Sequence, residues 1–259
     1  MILPERGAGL KLASIHPANA GATPPLPVEQ AAFLVIDQDT KAVAAILDGP
    51  AITACKTAAD SALAARRLSR QDSEVLLVLG AGPVARALTE AYLHIRPAIS
   101  RVLLWNRSPR KVEQACTELR SQGLDAVVVD DLDKAVAEAD IISSATSTTT
   151  PLIRGIRLRP GTHVDLVGGF RPDMREADDE VMRNARIFVD DRGSATVSGD
   201  ILAPLESGVI DESCIEGDLF DLVPRTDLER RTDEITVYKN AGGAYLDLVI
   251  SPYVLSRLE

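Results

Sequence analysis

Aromatic side chains are scarce in this chain of 259 residues: one Trp, four Tyr and four Phe make up 3% of it. The core must therefore come from Ala, Val, Leu and Ile, and small side chains of this kind let helices lie close against a sheet. Cysteine is almost as scarce. Cys55, Cys116 and Cys214 stand far apart with no C-x-x-C pair, and His16, His94 and His163 are the only imidazoles. That set argues against a disulfide framework or a structural zinc, so no metal is expected and these residues read as structural. No segment approaches the ~20 apolar residues that span a bilayer. The start, MILPERGAGLKLAS, holds no apolar run of signal-peptide length, which leaves a cytoplasmic protein without a membrane partner as the expectation. Positive charge is also in deficit, with 28 Lys and Arg against 38 Asp and Glu and a net charge of -10. A surface of that sign excludes nucleic acid as a principal partner, because phosphate backbones need cations. A small molecule held in a local basic pocket remains.

What the chain does have is a regular alternation of short apolar runs and helix-length amphipathic stretches. Strands are expected at 74–80, 101–106, 125–130, 140–146, 162–168 and 185–190, with helices at 84–94, 109–121 and 132–139. Ser108 is a candidate N-cap with Pro109 at the first helical position. Continuous apolar runs separated by helices mark a parallel sheet covered on both faces. The fold class read from this is α/β, a doubly wound Rossmann-type sheet.

The first 57 residues differ. Strands are expected at 9–19 and 31–49, joined by a Pro-rich loop at 22–27, and a small-residue helix runs from about Thr53 to Ser69. Strand-like alternation and a helix-like end return after Arg230. The predicted organisation is a split α+β substrate and dimerisation domain, residues 1–57 plus 232–259, around a dinucleotide-binding domain, residues 58–231.

Gly80-Ala81-Gly82-Pro83-Val84-Ala85 fits G-x-G-x-x-A, after a strand and opening a helix. Glycine at 80 permits the turn, glycine at 82 lets backbone approach a pyrophosphate, and Ala85 lets the helix sit close. Phosphates would rest on the amides of the helix N-terminus, placing Gly80, Ala81, Gly82, Pro83 and Val84 at the cofactor. An NAD site would carry Asp or Glu roughly 20 residues beyond the glycines. Here the chain reads Trp105-Asn106-Arg107-Ser108-Pro109-Arg110-Lys111. With no acid, Asn106, Arg107, Ser108 and Arg110 suit a 2′-phosphate, so NADP(H) is favoured, with NAD(H) the weaker alternative. A solvated basic loop is the plainer reading of the same residues.

Taken in order, several segments resemble the ornithine cyclodeaminase/mu-crystallin family. They are Gly9-Leu10-Lys11, Leu47-Asp48-Gly49, Thr57-Ala58-Ala59 with Ser61-Ala62-Leu63-Ala64, the Gly80 cradle, and Pro160-Gly161-Thr162-His163 followed by Gly168-Gly169. The resemblance implies a homodimer built through the split domain, and small amino or imino acids or their cyclic imines as substrates. It implies that Lys11 binds the substrate carboxylate beside the reacting carbon. It implies a second carboxylate contact at Lys56, where most members have arginine, and the exchange keeps charge but loses the bidentate fork. Taken alone, Lys11 reads as an exposed strand-edge residue and Lys56 as a surface helix residue. Thr57, Ala145, Thr146 and Gly168 are expected to line the cofactor, and Lys239-Asn240-Ala241-Gly242-Gly243 resembles a family segment near the nicotinamide.

Two departures from the family pattern matter. Cyclodeaminases carry a Gly-x-Asp aspartate after the fifth strand, and Phe170 stands there in Gly168-Gly169-Phe170-Arg171-Pro172-Asp173-Met174-Arg175-Glu176. Phenylalanine moves no proton, so this version resembles the Δ1-pyrroline-2-carboxylate and Δ1-piperideine-2-carboxylate reductase branch. Members also carry a further stretch ahead of Gly9-Leu10-Lys11, with a carboxylate-binding arginine, and the expectation is either a misassigned gene start or a natural truncation that shortens the domain. The expected reaction is NADPH-dependent reduction of such a ketimine to L-proline or L-pipecolate; the sequence does not reveal the proton source, for which a water near Lys11 or Asp165 is one candidate. Ornithine cyclodeaminase or alanine-type dehydrogenase activity, and cofactor binding without turnover, are the alternatives.

Overall fold

The computed structural model describes residues 2–3, 7–24, 26–27, 29–225 and 228–257. They fall into two compact units, residues 1–57 with 243–259 and residues 58–242.

In the smaller unit, β1 (Ile2–Leu3), β2 (Gly7–Ile15), β3 (Glu29–Ile36) and β4 (Val43–Asp48) form an antiparallel sheet in that order. The β3–β4 hairpin closes on Asp37, whose carboxylate accepts the amides of Asp39 and Thr40, an Asx turn of the kind that aspartate favours. Helix α1 (Gly49–Leu68) starts directly after β4. Its expected start at Thr53 is four residues late, because the Asp48 carboxylate accepts the Ala51 amide at 2.8 Å and caps the extra turn. One face of the sheet buries Phe33, Val35 and Leu47 with Ile52 and Leu248. The other leaves Leu10, Leu12, Val43 and Ile46 more than half exposed. Cross-strand register aligns Leu10 with Leu34 and Leu34 with Ile46, so this face is one continuous apolar strip.

The larger unit is the expected doubly wound sheet. In chain order it contains β5 (Val75–Leu79), α2 (Pro83–Ile95), β6 (Arg101–Trp105), α3 (Arg110–Ser121), β7 (Asp125–Val128), α4 (Leu132–Glu138), β8 (Ile141–Ser144), β9 (His163–Leu166), α5 (Asp179–Asn184), β10 (Ala185–Val189), α6 (Arg192–Ala195), α7 (Gly199–Glu206), β11 (Ile215–Gly217), α8 (Leu219–Leu222) and β12 (Ile235–Lys239). Eight strands lie side by side as β11-β10-β12-β9-β8-β5-β6-β7, every pair parallel. Alternate residues of one strand feed opposite faces. Leu77 and Leu79 join one core with Ile142, Val164 and Val237. Leu76 and Val78 join another, beneath α2 and α3, with Leu88, Tyr92 and Val112. Full burial of each such side chain contributes about 1.5–3 kcal/mol.

The expected boundary at 232 is corrected. Strand β12 lies between β9 and β10, and its Thr236, Val237, Tyr238 and Lys239 are all buried. A run covered on both faces belongs in the parallel sheet, so the larger unit extends to residue 242. The Ser108 cap is corrected too. Pro109 takes the N-cap position of α3 in helical conformation, and Ser108 contributes only its carbonyl, to the Lys111 amide at 3.0 Å. Finally, α9 (Ala244–Leu255) packs on β2 and β3 in the smaller unit.

His163 is a packed residue. Thr236 Oγ1 donates to the Leu68 carbonyl and lies 2.9 Å from His163 Nδ1, which therefore carries the proton. Burial, with Arg230 and Arg96 nearby, drives the imidazole pKa down to about 3 and keeps it neutral.

Candidate active site

The strand order reverses direction at β5, with β6 on one side and β8 on the other. Ligands of doubly wound sheets bind at such a switch point, beyond the carboxyl ends of the strands. An open cleft of about 420 Å³ lies there, bounded by Gly80, Ala81 and Gly82, by Asn106, Arg107 and Lys111, and by Ala145 and Thr146.

Gly80 has φ 121°, and a Cβ on it would stand 2.6 Å from the Ala145 carbonyl oxygen. Only glycine fits between the two strand ends. At Gly82 the reason differs, because a Cβ there meets nothing within 4 Å. The protein itself does not need that glycine, so its absent side chain keeps the mouth of the cleft clear. Gly82 is the N-cap of α2 and Pro83 opens the helix. The first-turn amides of a helix have no partner within it and favour an anion. These residues fit a dinucleotide pyrophosphate.

The 2′-phosphate end is partly redrawn. Asn106 and Arg107 line the cleft, but Ser108 and Arg110 do not, and Lys111 does. Successive helical residues turn by about 100°, so Arg110 and Lys111 at the start of α3 point in different directions. The carbonyl of Ser108 accepts the Asn106 side-chain amide at 2.9 Å. Val84 sits in the first turn of α2 and packs against the core beneath it. Thr57 is buried in α1.

Behind the β8 wall lies a buried cluster that the sequence did not suggest. Glu176 accepts the Ser144 hydroxyl at 2.5 Å, the Thr146 amide at 2.8 Å, the Thr146 hydroxyl at 2.7 Å and the Gly168 amide at 2.6 Å. Gly168 is thus committed to Glu176 through its amide. Asp200 accepts the Glu176 amide at 2.7 Å and pairs with the wholly buried Lys239 at 3.1 Å. Burial, with Asp200 close by, raises the Glu176 carboxyl to about 7. Its four donors fix Thr146, and with it one side of the cleft.

Asp165 is also fully buried, and Ser61 and Ser143 each donate to it at 2.8 Å. Burial outweighs those bonds and raises it to about 6. Asn240 donates to Ser61 at 3.0 Å and so belongs to the same buried network.

Within the smaller unit the two lysines come together. Lys56 Nζ lies 2.7 Å from Asp247 Oδ2 and 2.8 Å from the Gly243 carbonyl. Lys11 Nζ lies 3.2 Å from Asp247 Oδ1 and 2.6 Å from Thr53 Oγ1. Asp247 is wholly buried, Lys56 is 6% exposed and Lys11 is 20% exposed. Neither lysine is the surface residue that sequence position alone suggests. Among the described residues two ammonium groups meet one carboxylate here, and Lys11 is the member that reaches solvent. Asp247 escaped the sequence reading, although a lone acid in the apolar helix AYLDLVISPYVL was its signal.

Among the described residues no helix is long and apolar enough to cross a membrane, and no group of His, Cys, Asp or Glu side chains could hold a metal ion.

Residues 3–259 match the ornithine cyclodeaminase/mu-crystallin family. The chain belongs to that family. A Δ1-pyrroline-2-carboxylate reductase from Paracoccus denitrificans is 46% identical over 250 residues, 96% of this chain and 78% of the relative. Among solved structures, a Δ1-pyrroline-2-carboxylate reductase from Thermococcus litoralis, in complex with NADH and L-proline, superposes with a TM-score of 0.89 at 31% identity. That match covers 96% of this chain and 77% of the other. An archaeal alanine dehydrogenase dimer with bound NAD has the same TM-score at 25% identity, covering 97% and 78%. Phe170, where the sequence pattern leads one to expect the cyclodeaminase aspartate, is 53% exposed. Nearby Asp173 is bound through both oxygens by Arg171, at 2.8 and 2.7 Å.

Proposed function

We propose that this member of the family, an NAD(P)H-dependent oxidoreductase acting on C=N bonds, reduces a cyclic ketimine carboxylate. The substrates are Δ1-pyrroline-2-carboxylate or Δ1-piperideine-2-carboxylate, and the products L-proline or L-pipecolate. The observation that carries the reading is the Lys11–Lys56–Asp247 cluster, where among the described residues two ammonium groups meet one carboxylate, a match for a substrate carboxylate. Phe170 and the Arg171-bound Asp173 leave no free acid at the place from which a cyclodeaminase drives ammonia loss. The Paracoccus and Thermococcus relatives support the same substrate class.

Residues of the Gly80 cradle would hold a nicotinamide cofactor, which when bound would supply the hydride for C2 of the imine, with solvent supplying the proton for the ring nitrogen. Lys11 and Lys56 hold the carboxylate and so orient the C=N bond, and orientation is a large share of the acceleration in such transfers. Asp247 keeps both lysines in place. Gly80, Ala81, Gly82 and the start of α2 hold the pyrophosphate, and Glu176 holds the Thr146 wall. NADPH is preferred over NADH, because Arg107 and Lys111 face the cleft where an NAD enzyme has a carboxylate. The chain works as a homodimer in the cytoplasm, associating through the exposed strip Leu10, Leu12, Val43 and Ile46. The archaeal neighbour is likewise a dimer, and a contiguous apolar surface of this kind marks an association site.

The test is loss of reduced-nicotinamide absorbance with Δ1-pyrroline-2-carboxylate, alongside ammonia release from L-ornithine. Oxidation with the imine and no ammonia is the expected pair. Ammonia release would establish a cyclodeaminase, and NADPH binding with neither activity would establish a cofactor-binding protein without turnover.

A further inference from the structure

At the opposite edge of the parallel sheet, where the strands begin, lies a second cavity of about 340 Å³. Ser69 to Asp72 precede β5 and Thr232 precedes β12, so the length of β5, about 16 Å at strand rise, separates it from Gly80. Arg66, Arg67, Arg70 and Arg230 line it, against Asp72 as the one carboxylate among its described lining residues. Such a concentration is unexpected in a chain of net charge -10.

Two of the arginines are fixed by the fold. Arg230 donates to the carbonyls of Leu68 at 2.5 Å and Gly161 at 2.7 Å. Arg70 binds Asp140 at 2.8 Å and the exposed Asp72 at 3.1 Å. Arg66 and Arg67 make no ion pair among the described residues, and Arg67 reaches only the Val223 carbonyl, at 3.4 Å. Part of the clustering has a local cause, since cations at the last turn of α1 meet its negative dipole end. That half charge does not balance Arg66 and Arg67, which meet no acid among the described residues. Burial lowers the Arg230 pKa; Glu234 and Asp72 oppose the shift, and Arg70 and Arg96 add to it.

We propose that this cavity is a second anion site, which takes the phosphate or diphosphate group of a small molecule. Planar guanidinium forks match phosphate oxygens two at a time. Two guanidiniums unmatched by acids among the described residues favour a multiply charged anion over a single carboxylate, and Thr232 lines the same cavity. The site stands in a different cleft from the cofactor cradle, so it survives or fails independently of the ketimine reading.

The experiment is calorimetric titration of the whole protein with inorganic pyrophosphate at constant ionic strength, with NADPH saturating so that the Gly80 cradle is filled. The proposal expects binding, at least tenfold weaker in the Arg66→Ala/Arg67→Ala double variant, while NADPH affinity and basal turnover stay unchanged. Both side chains are exposed, so the variant keeps its core. No binding with NADPH present, equal binding by the double variant, or equal affinity for citrate would each overturn it.

Discussion

The two regions that the proposed reaction needs are built by opposite means. The floor of the cofactor cleft is backbone, two glycines and the start of one helix at the ends of the strands, and Asn106, Arg107 and Lys111 line its side. The lysine cluster is made of charge, two ammonium groups and one carboxylate drawn from β2, α1 and α9 and mostly buried. A backbone site tolerates changes of side chain but not of conformation. A charge site tolerates neither partner's loss, because a buried ion without its partner is strongly unfavourable.

The largest effect is therefore expected at Asp247. Asp247→Asn leaves the buried Lys56 ammonium without its carboxylate, at a cost of about 3–5 kcal/mol in folding stability. Chemical denaturation reads this directly, and a loss below about 1 kcal/mol would show that the cluster is not coupled as described. In the cradle, Gly80→Ala forces a Cβ toward the Ala145 carbonyl at positive φ. Left-handed strain and the close contact together should cost about 2 kcal/mol or more. The loss should appear as weaker binding of both NADPH and NADH, and unchanged affinity would mean that the cofactor lies elsewhere.

Arg107→Ala sharpens the contrast within the cleft. Loss of a charge-assisted contact to the 2′-phosphate should weaken NADPH about 10- to 100-fold, or ~1.5–3 kcal/mol, with NADH almost unaffected. Equal loss for both cofactors would remove the basis for NADPH preference.

The smallest effect concerns pH. His163 has a folded pKa depressed to about 3 from 6.5, so its contribution is complete above pH 6.5 and is lost as pH falls toward 3. Asp165 and Glu176, raised to about 6 and about 7, act in the other direction. Their contribution is complete below the ordinary carboxylate range and is lost as pH rises through 6 to 7. The wild-type profile is thus partly cancelled, and His163→Gln exposes the difference. Between pH 6 and 4 the stability of wild type relative to that of the variant should decline as pH falls, by at most about 1.4 kcal/mol per pH unit. Parallel profiles would contradict a neutral buried imidazole.

The same division decides what the sequence made legible. The strands from Val75 to Val189 were readable because a run such as Val75–Leu79, buried on both faces, must be uniformly apolar. Gly80 and Gly82 were readable because turn, cradle and helix start occupy consecutive residues. The insertion of β12 between β9 and β10 was not, since lateral order is settled by long-range packing and leaves no local mark. β11, three residues long, is too short to show a period. Lys11 and Asp247 stand 236 residues apart, and their pairing has no sequence signal beyond each being an unusual charge in an apolar element. Glu176 was hidden for a different reason: its partners are backbone amides and hydroxyls, which any sequence supplies.

The most direct test is steady-state kinetics of purified protein with Δ1-pyrroline-2-carboxylate, using NADPH and NADH in parallel. The account predicts turnover with the imine, a higher kcat/KM with NADPH, and near-complete loss of turnover in Lys11→Met with NADPH binding intact. Full activity of Lys11→Met, or no oxidation of either cofactor by the wild-type protein, would contradict it.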